Sequence, residues 1–120
     1  MTARVLIVDD HASFRSLARR LLVAEGFDVV GEAGDAADAF DAVRCLAPDV
    51  VLLDIRLPDL DGFGVAEVLA GGDAAPAVVL VSSRARDDYG RRVDTSPARG
   101  FIAKDDLSGE ALRRVLGDVG

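Results

Sequence analysis

The sequence predicts an α/β domain built on a parallel β-sheet, and three observations support this fold class. Short apolar runs recur along the chain, and amphipathic stretches with helical spacing lie between them. The runs are continuously apolar rather than alternating, which is typical of parallel strands covered on both faces. The strand–helix alternation repeats five times, and such alternation favours a parallel sheet with right-handed crossovers.

Five apolar runs mark the predicted strands in chain order: residues 5–8, 29–30 with their flanks, 50–53, 78–81 and 101–103. The first run stops at two aspartates, so it is too short for a signal peptide or for a membrane span of about 20 residues. We therefore expect a soluble, cytoplasmic protein that does not enter a membrane.

Three amphipathic stretches have the spacing of helices that bury one face. The apolar positions of the first are Phe14, Leu17, Ala18, Leu21 and Leu22. Those of the second are Ala36, Ala39, Phe40, Val43 and Leu46 or Ala47. Those of the last are Ala111, Leu112, Val115 and Leu116. Asp35 and Ser108 are suitable N-caps for the second and last helices, and Pro48 closes the second.

The segment between predicted strands four and five has a low helix propensity. Residues 86–98 contain Gly90, Val93, Thr95 and Pro97 together with three aspartates. We expect a fourth helix that is short, irregular or mobile.

Composition sets limits on partners and compartment. The 120 residues are the size of a single domain, which we assign to residues 1–120. The net charge is −7, and this acidic balance argues against direct nucleic-acid binding by the chain. The one cysteine excludes an intramolecular disulfide. Arginine supplies nearly every positive charge, so the single lysine, Lys104, indicates a position where a compact ammonium is required.

Ionisable and hydroxyl side chains stand at the carboxyl ends of the predicted strands. They are Asp9 and Asp10 after strand one, Asp54 after strand three, Ser82 and Ser83 after strand four, and Lys104 after strand five. Functional groups of open parallel sheets gather at this edge, so we expect these side chains to converge.

Three clustered carboxylates repel one another unless a cation compensates their charge. Oxygen ligands select a hard cation, and Mg²⁺ bound by carboxylates, waters and phosphate oxygens fits best. Such a site is suited to phosphoryl transfer, in which positioning and charge neutralisation dominate. Asp54 is the best candidate nucleophile because it lies centrally, on the third strand.

Four segments in order resemble the receiver domain of two-component response regulators: VLIVDDH (5–11), PDVVLLDIRLPDLDG (48–62), VVLVSS (78–83) and GFIAKD (100–105). The resemblance spans essentially the whole chain. It implies a flavodoxin-like three-layer sandwich with a five-stranded parallel sheet of order 2-1-3-4-5. Asp105 stands where receivers commonly have proline, a feature similar to receivers that precede a LuxR-type helix-turn-helix domain.

The resemblance also implies residue roles. Asp54 would be the phosphoacceptor, and Asp10 a direct Mg²⁺ ligand. Asp9 would assist directly or through water, and the backbone carbonyl of Arg56 would complete the protein ligands.

The same resemblance implies a switch. Ser82 would be the hydroxyl that turns to the aspartyl phosphate, with Ser83 as the alternative. Lys104 would pair with the phosphate, and Phe101 would be the aromatic whose rotamer follows the change.

The implied function is a signalling switch phosphorylated by a histidine kinase or phosphotransfer protein, catalysing only its own phosphorylation and dephosphorylation. Its output would be a C-terminal DNA-binding domain that the sequence ending at Gly120 lacks, or a separate effector protein. One alternative is a pseudo-receiver or interaction module not regulated by phosphorylation. Another is a small Mg²⁺-dependent phosphatase, although Arg56 stands where such enzymes place a second acid. A nucleotide-binding or flavin-binding module would need a Gly-rich phosphate loop after strand one, which is missing.

Overall fold

A computed structural model describes residues 2–72 and 74–117, so Gly120 lies outside the described residues. Five strands form one sheet of order β2-β1-β3-β4-β5, and every neighbouring pair is parallel. The strands are β1 (Arg4–Val8), β2 (Asp28–Ala33), β3 (Val50–Asp54), β4 (Ala77–Ser82) and β5 (Gly100–Ala103). The predicted sheet and strand order are confirmed.

Helices cover both faces of this sheet. They are α1 (Ala12–Ala24), α2 (Ala36–Leu46), α3 (Gly62–Ala70), α4 (Arg91–Thr95) and α5 (Gly109–Leu116). Short 3₁₀ turns, Arg86–Tyr89 and Lys104–Asp106, follow β4 and β5. Within the described ranges, no helix combines the length and the apolar character that a membrane crossing requires.

Alternate side chains of the buried strands supply two separate cores. Val5 and Ile7 of β1 pack with α1 and α5, whereas Leu6 and Val8 pack with the α2, α3 and α4 side. The continuous apolar runs therefore reflect burial on both faces, and the three-layer flavodoxin-like sandwich is confirmed.

The predicted helix caps are also present. The side chain of Asp35 accepts a hydrogen bond from the Asp38 N–H at 2.8 Å, and that of Ser108 accepts one from the Ala111 N–H at 2.9 Å. Helix α2 ends before Ala47, which has a φ of 46°, and Pro48 follows. Local side-chain chemistry thus sets these helix bounds.

Two further sequence predictions concern the length of the fourth helix and the buried face of α1. The fourth helix is short, as expected, because α4 has only five residues. The prediction for Leu17 is wrong, since it is 49% exposed while Ala18 and Leu22 are buried. At 3.6 residues per turn, Leu17 is rotated by about 100° from Ala18 and falls at the edge of the buried stripe.

Candidate functional site

The predicted carboxylates meet where the neighbouring strands β1 and β3 end. Ligand atoms of Asp9, Asp10, His11 and Asp54 lie within 4.8 Å of one another. Asp9 and Asp54 are buried, whereas Asp10 and His11 are exposed. The cluster therefore has a buried floor and an open side that a small ligand can reach.

Lys104 lies against the buried part of this cluster. Its Nζ is 2.6 Å from Oδ2 of Asp9 and 3.5 Å from Oδ2 of Asp54. The ammonium also lies 4.6 Å from the centroid of the Phe14 ring. The contact with Asp9 is an ion pair without hydrogen-bond geometry, because Oδ2 of Asp9 has no hydrogen-bond partner among the described residues.

The environment of Asp54 disfavours its ionised form. Burial raises the pKa of Asp54, and the nearby charge of Asp9 raises it further. The Arg56 N–H, which donates to Oδ1 at 3.1 Å, and the Lys104 ammonium act in the opposite direction on this pKa. The raised pKa shows that these two donors do not fully compensate the buried charge.

The chemistry of the donor set fits a divalent metal ion. Three carboxylates face one ammonium, which leaves an excess of two negative charges at the cluster. The buried Oδ2 of Asp9 still lacks a hydrogen-bond partner within the described ranges. Oxygen donors of this kind favour hard cations such as Mg²⁺.

His11 lies beside the acidic pair, although sequence reasoning assigned it no role. Its backbone N–H donates to Oδ1 of Asp9 at 2.8 Å, and its Nδ1 is 3.0 Å from Oδ1 of Asp10. The sequence signal was its place directly after the two aspartates. His11 therefore helps to fix the orientation of the Asp9 carboxylate and lies in close contact with that of Asp10.

Contacts from α1 fix the end of β1. Arg15 donates to the carbonyl oxygen of Asp9 at 2.6 Å and to Glu32 at 3.1 Å. Arg19 also binds Glu32, and the two arginines, Arg19 foremost, lower the pKa of that carboxyl group. Glu32, at the end of β2, therefore anchors α1 beside the site.

Ser82 and Ser83 differ sharply in environment. Ser82 ends β4 and is 1% exposed, whereas Ser83 is exposed. Oγ of Ser82 accepts a hydrogen bond from the Arg84 N–H at 3.0 Å and is hydrogen-bonded to the Tyr89 hydroxyl at 2.5 Å. Phe101 is half-buried on β5, and its ring centroid lies 6.1 Å from that of Tyr89.

Sequence reasoning missed Tyr89. The residue lies in the segment of poor helix propensity, where no periodic pattern indicates which side chains face inward. The sequence signal that could have drawn attention to Tyr89 is that it is the single tyrosine of the chain.

The loop after Asp54 is tied to two helices. Asp59 accepts hydrogen bonds from the N–H groups of Ala36 and Ala37 at the start of α2. Asp61 caps α3 by accepting from the Gly64 N–H at 2.9 Å. These contacts hold the chain that carries Arg56 against the site.

Helix α3 begins in direct contact with the end of β3, and this contact predicts the effect of Gly62→Ala. A Cβ atom at position 62 would lie 2.6 Å from the Asp54 carbonyl oxygen and 2.7 Å from Cα of Ile55. We expect the substitution to lower the free energy of unfolding by about 1–3 kcal/mol, because backbone must move. Urea unfolding of the whole chain measures this change.

Gly71→Ala is the matched control at the other end of α3. Position 71 is right-handed, and a methyl group added there would lie 3.7 Å from its nearest neighbour, the carbonyl oxygen of Val68. We expect no loss of stability there. Equal stability of the two variants would contradict the close packing of Gly62.

Comparisons with known proteins add to this geometry. Residues 5–116 match the family model described as the response regulator receiver domain. The chain is 35% identical over 114 residues to the probable transcriptional regulatory protein NarL of Mycobacterium tuberculosis, covering 94% of this chain and 53% of that protein. It is 53% identical over 81 residues to protein-glutamate methylesterase/protein-glutamine glutaminase 5 of Myxococcus xanthus, covering 67% of this chain and 23% of that protein.

A solved structure agrees over almost the full length. The signal receiver domain of the putative response regulator NarL from Mycobacterium tuberculosis matches with a TM-score of 0.85 and 32% identity, covering 97% of this chain and 98% of that one. By contrast, the chain spans about half the length of the curated NarL protein and a smaller share of the methylesterase.

Proposed function

Because this chain belongs to the receiver domain family of two-component response regulators, we propose that it accepts a phosphoryl group on Asp54. The donor would be a histidine kinase or a phosphotransfer protein. The observation that carries this proposal is the convergence of buried Asp54 with Asp9 and Lys104 at the carboxyl edge of the sheet. Receiver domains are in general signalling modules rather than enzymes, and the proposed catalysis is limited to the domain's own phosphorylation and dephosphorylation.

Asp54 is the carboxylate best placed to react. The Arg56 N–H donates a hydrogen bond to Oδ1 of Asp54, whereas Oδ2 has, among the described residues, only the longer contact with Lys104, at 3.5 Å. Asp9 is less free to react, because its Oδ2 lies closer to the Lys104 ammonium, at 2.6 Å. In the transfer, a carboxylate oxygen of Asp54 forms a bond to phosphorus as the phosphorus–nitrogen bond of a phosphohistidine breaks. The leaving imidazole keeps the electron pair.

The acidic cluster supports Mg²⁺ as the cofactor. The proposed ligands are the carboxylates of Asp10 and Asp54 and the backbone carbonyl of Arg56, with Asp9 acting directly or through water. A bound Mg²⁺ would neutralise charge on the phosphoryl oxygens. Lys104 is the side chain that would pair with the same phosphoryl group, because its ammonium already contacts Asp54.

The burial pattern favours Ser82 over Ser83 as the switch hydroxyl. Ser82 is buried at the end of β4, and its hydroxyl contacts an aromatic residue that packs on Phe101. Phosphorylation would bias a pre-existing equilibrium in which Ser82 and Phe101 change conformation together. The domain would act in the cytoplasm, and its output would be a DNA-binding domain of a longer chain or a separate effector.

Intact-mass measurement after incubation with acetyl phosphate and Mg²⁺ tests the proposal. We expect a single phosphoryl adduct on the wild type and none on Asp54→Asn. Asp105→Asn is the matched control, because Asp105 is exposed beside Lys104 and should leave the adduct unchanged. If the wild type forms no adduct and its emission spectrum does not respond to beryllofluoride, the chain would be a pseudo-receiver instead.

A further inference from the structure

Tyr89 contacts the proposed switch residue although it lies outside the four segments that resemble a receiver. Its hydroxyl is hydrogen-bonded to Oγ of Ser82, seven residues earlier in the chain. The 3₁₀ turn Arg86–Tyr89 brings the phenol back towards the end of β4. This contact is therefore a product of the local chain path after β4.

The ring of Tyr89 packs between two other aromatic rings. Its centroid is 5.8 Å from that of Phe63 in an edge-on arrangement and 6.1 Å from that of Phe101. Phe101 carries no hydroxyl, so it cannot hydrogen-bond Ser82 itself. Tyr89 joins the Ser82 hydroxyl to the aromatic residue of β5.

The hydrogen bonds of Ser82 determine what its hydroxyl can do. A serine hydroxyl has one proton and two acceptor lone pairs. The Arg84 N–H uses one lone pair, and Tyr89 is the other partner among the described residues. Either hydroxyl can donate the hydrogen bond between Ser82 and Tyr89. When Ser82 donates its single proton to Tyr89, that proton is not available to a phosphoryl oxygen on Asp54, so the two hydrogen bonds compete.

We propose that Ser82 donates its proton to the Tyr89 hydroxyl, and that Tyr89 is thereby a positioning residue that opposes the phosphorylated state. The inference rests on the proposed function, because it concerns the same phosphoryl group. Loss of one ordinary hydrogen bond from the unphosphorylated state shifts the equilibrium roughly two- to tenfold. Tyr89 would therefore set how readily the domain switches.

Beryllofluoride binding to the full chain tests this role. We expect Tyr89→Phe, which keeps the ring, to bind beryllofluoride roughly two- to tenfold more tightly than the wild type in the presence of Mg²⁺. Fluorine NMR of the bound ligand gives the affinities. In a Ser82→Ala background the same Tyr89→Phe change should have no effect, because the hydrogen bond is already absent.

A second readout uses the composition of the chain. Tyr89 is its only tyrosine and it has no tryptophan, so emission excited at wavelengths that phenylalanine does not absorb reports on this phenol alone. We expect beryllofluoride with Mg²⁺ to change the emission of the wild type and to leave that of Ser82→Ala unchanged.

Three results would overturn the inference: equal or weaker binding by Tyr89→Phe, an equal effect in the Ser82→Ala background, or unchanged wild-type emission at saturation. Each of these leaves the proposed function intact if acetyl phosphate still produces the mass adduct. Absence of both the adduct and beryllofluoride binding would remove the proposed function and this inference with it.

Discussion

Replacing Lys104 by methionine is expected to destabilise the metal-free domain by about 3 kcal/mol at neutral pH, the low end for removing one partner of a buried ion pair. The Lys104 side chain is 13% exposed and contacts Asp9 and Asp54, which are 0% and 4% exposed. Methionine keeps most of the side-chain length, so the loss comes from charge. Two buried carboxylates would remain without a neighbouring ammonium.

Urea unfolding with and without Mg²⁺ measures this effect. Mg²⁺ should stabilise the methionine variant more than the wild type, because the carboxylates have no other cation; saturation at 100 times the dissociation constant contributes about 2.7 kcal/mol. Lys104→Arg is the control that keeps the positive charge. A methionine variant as stable as the arginine variant would contradict the electrostatic role of Lys104.

Asp54→Asn is expected to have the opposite effect on the stability of the metal-free protein, although it should also prevent the proposed phosphorylation. The folded-state pKa of Asp54 is raised, chiefly by burial, so the native state binds the proton more tightly than the unfolded state. Stability from this group is present below the unfolded-state pKa of about 3.9 and is lost as pH rises through the folded-state pKa. At pH 7, which lies above the unfolded-state pKa, the carboxyl group therefore destabilises the fold relative to acidic pH, and asparagine removes that cost.

The expected gain exceeds the roughly 0.5 kcal/mol typical of surface substitutions. It is measured by urea unfolding at pH 7 in the presence of a chelator and should shrink towards pH 4. Asp10→Asn, at an exposed carboxylate of the same cluster, is the matched control with a smaller expected change. Loss of stability in Asp54→Asn at pH 7 would show that Lys104 and Arg56 overcompensate the buried charge.

The sequence was sufficient to predict the sheet and the convergence of most candidate site residues, because these features depend on position along strands. Asp9, Asp54 and Lys104 each stand at or directly after a strand end, and parallel strands bring such ends to one edge. The N-caps Asp35 and Ser108 could also be predicted from the sequence, because N-capping involves residues only three positions apart.

What the sequence could not predict depends on tertiary contacts. The hydrogen bond between Ser82 and Tyr89 requires a 3₁₀ turn in a segment without periodicity. The tie between Asp59 and the start of α2 joins residues more than twenty positions apart. Neither contact leaves a spacing pattern in the chain, so only the folded arrangement reveals them.

The five-residue helix α4 has a consequence for the energetics of the domain. A helix of this length is too short to be stable by itself, so packing of a few side chains decides its conformation. Those contacts include the buried Val93, the placement of Arg92 over the Phe63 ring and the ion pair between Arg92 and Asp61. Such a segment can open locally for much less free energy than global unfolding requires. The region beside Tyr89 can therefore be remodelled while the β1–β3 pair that carries Asp9 and Asp54 stays folded.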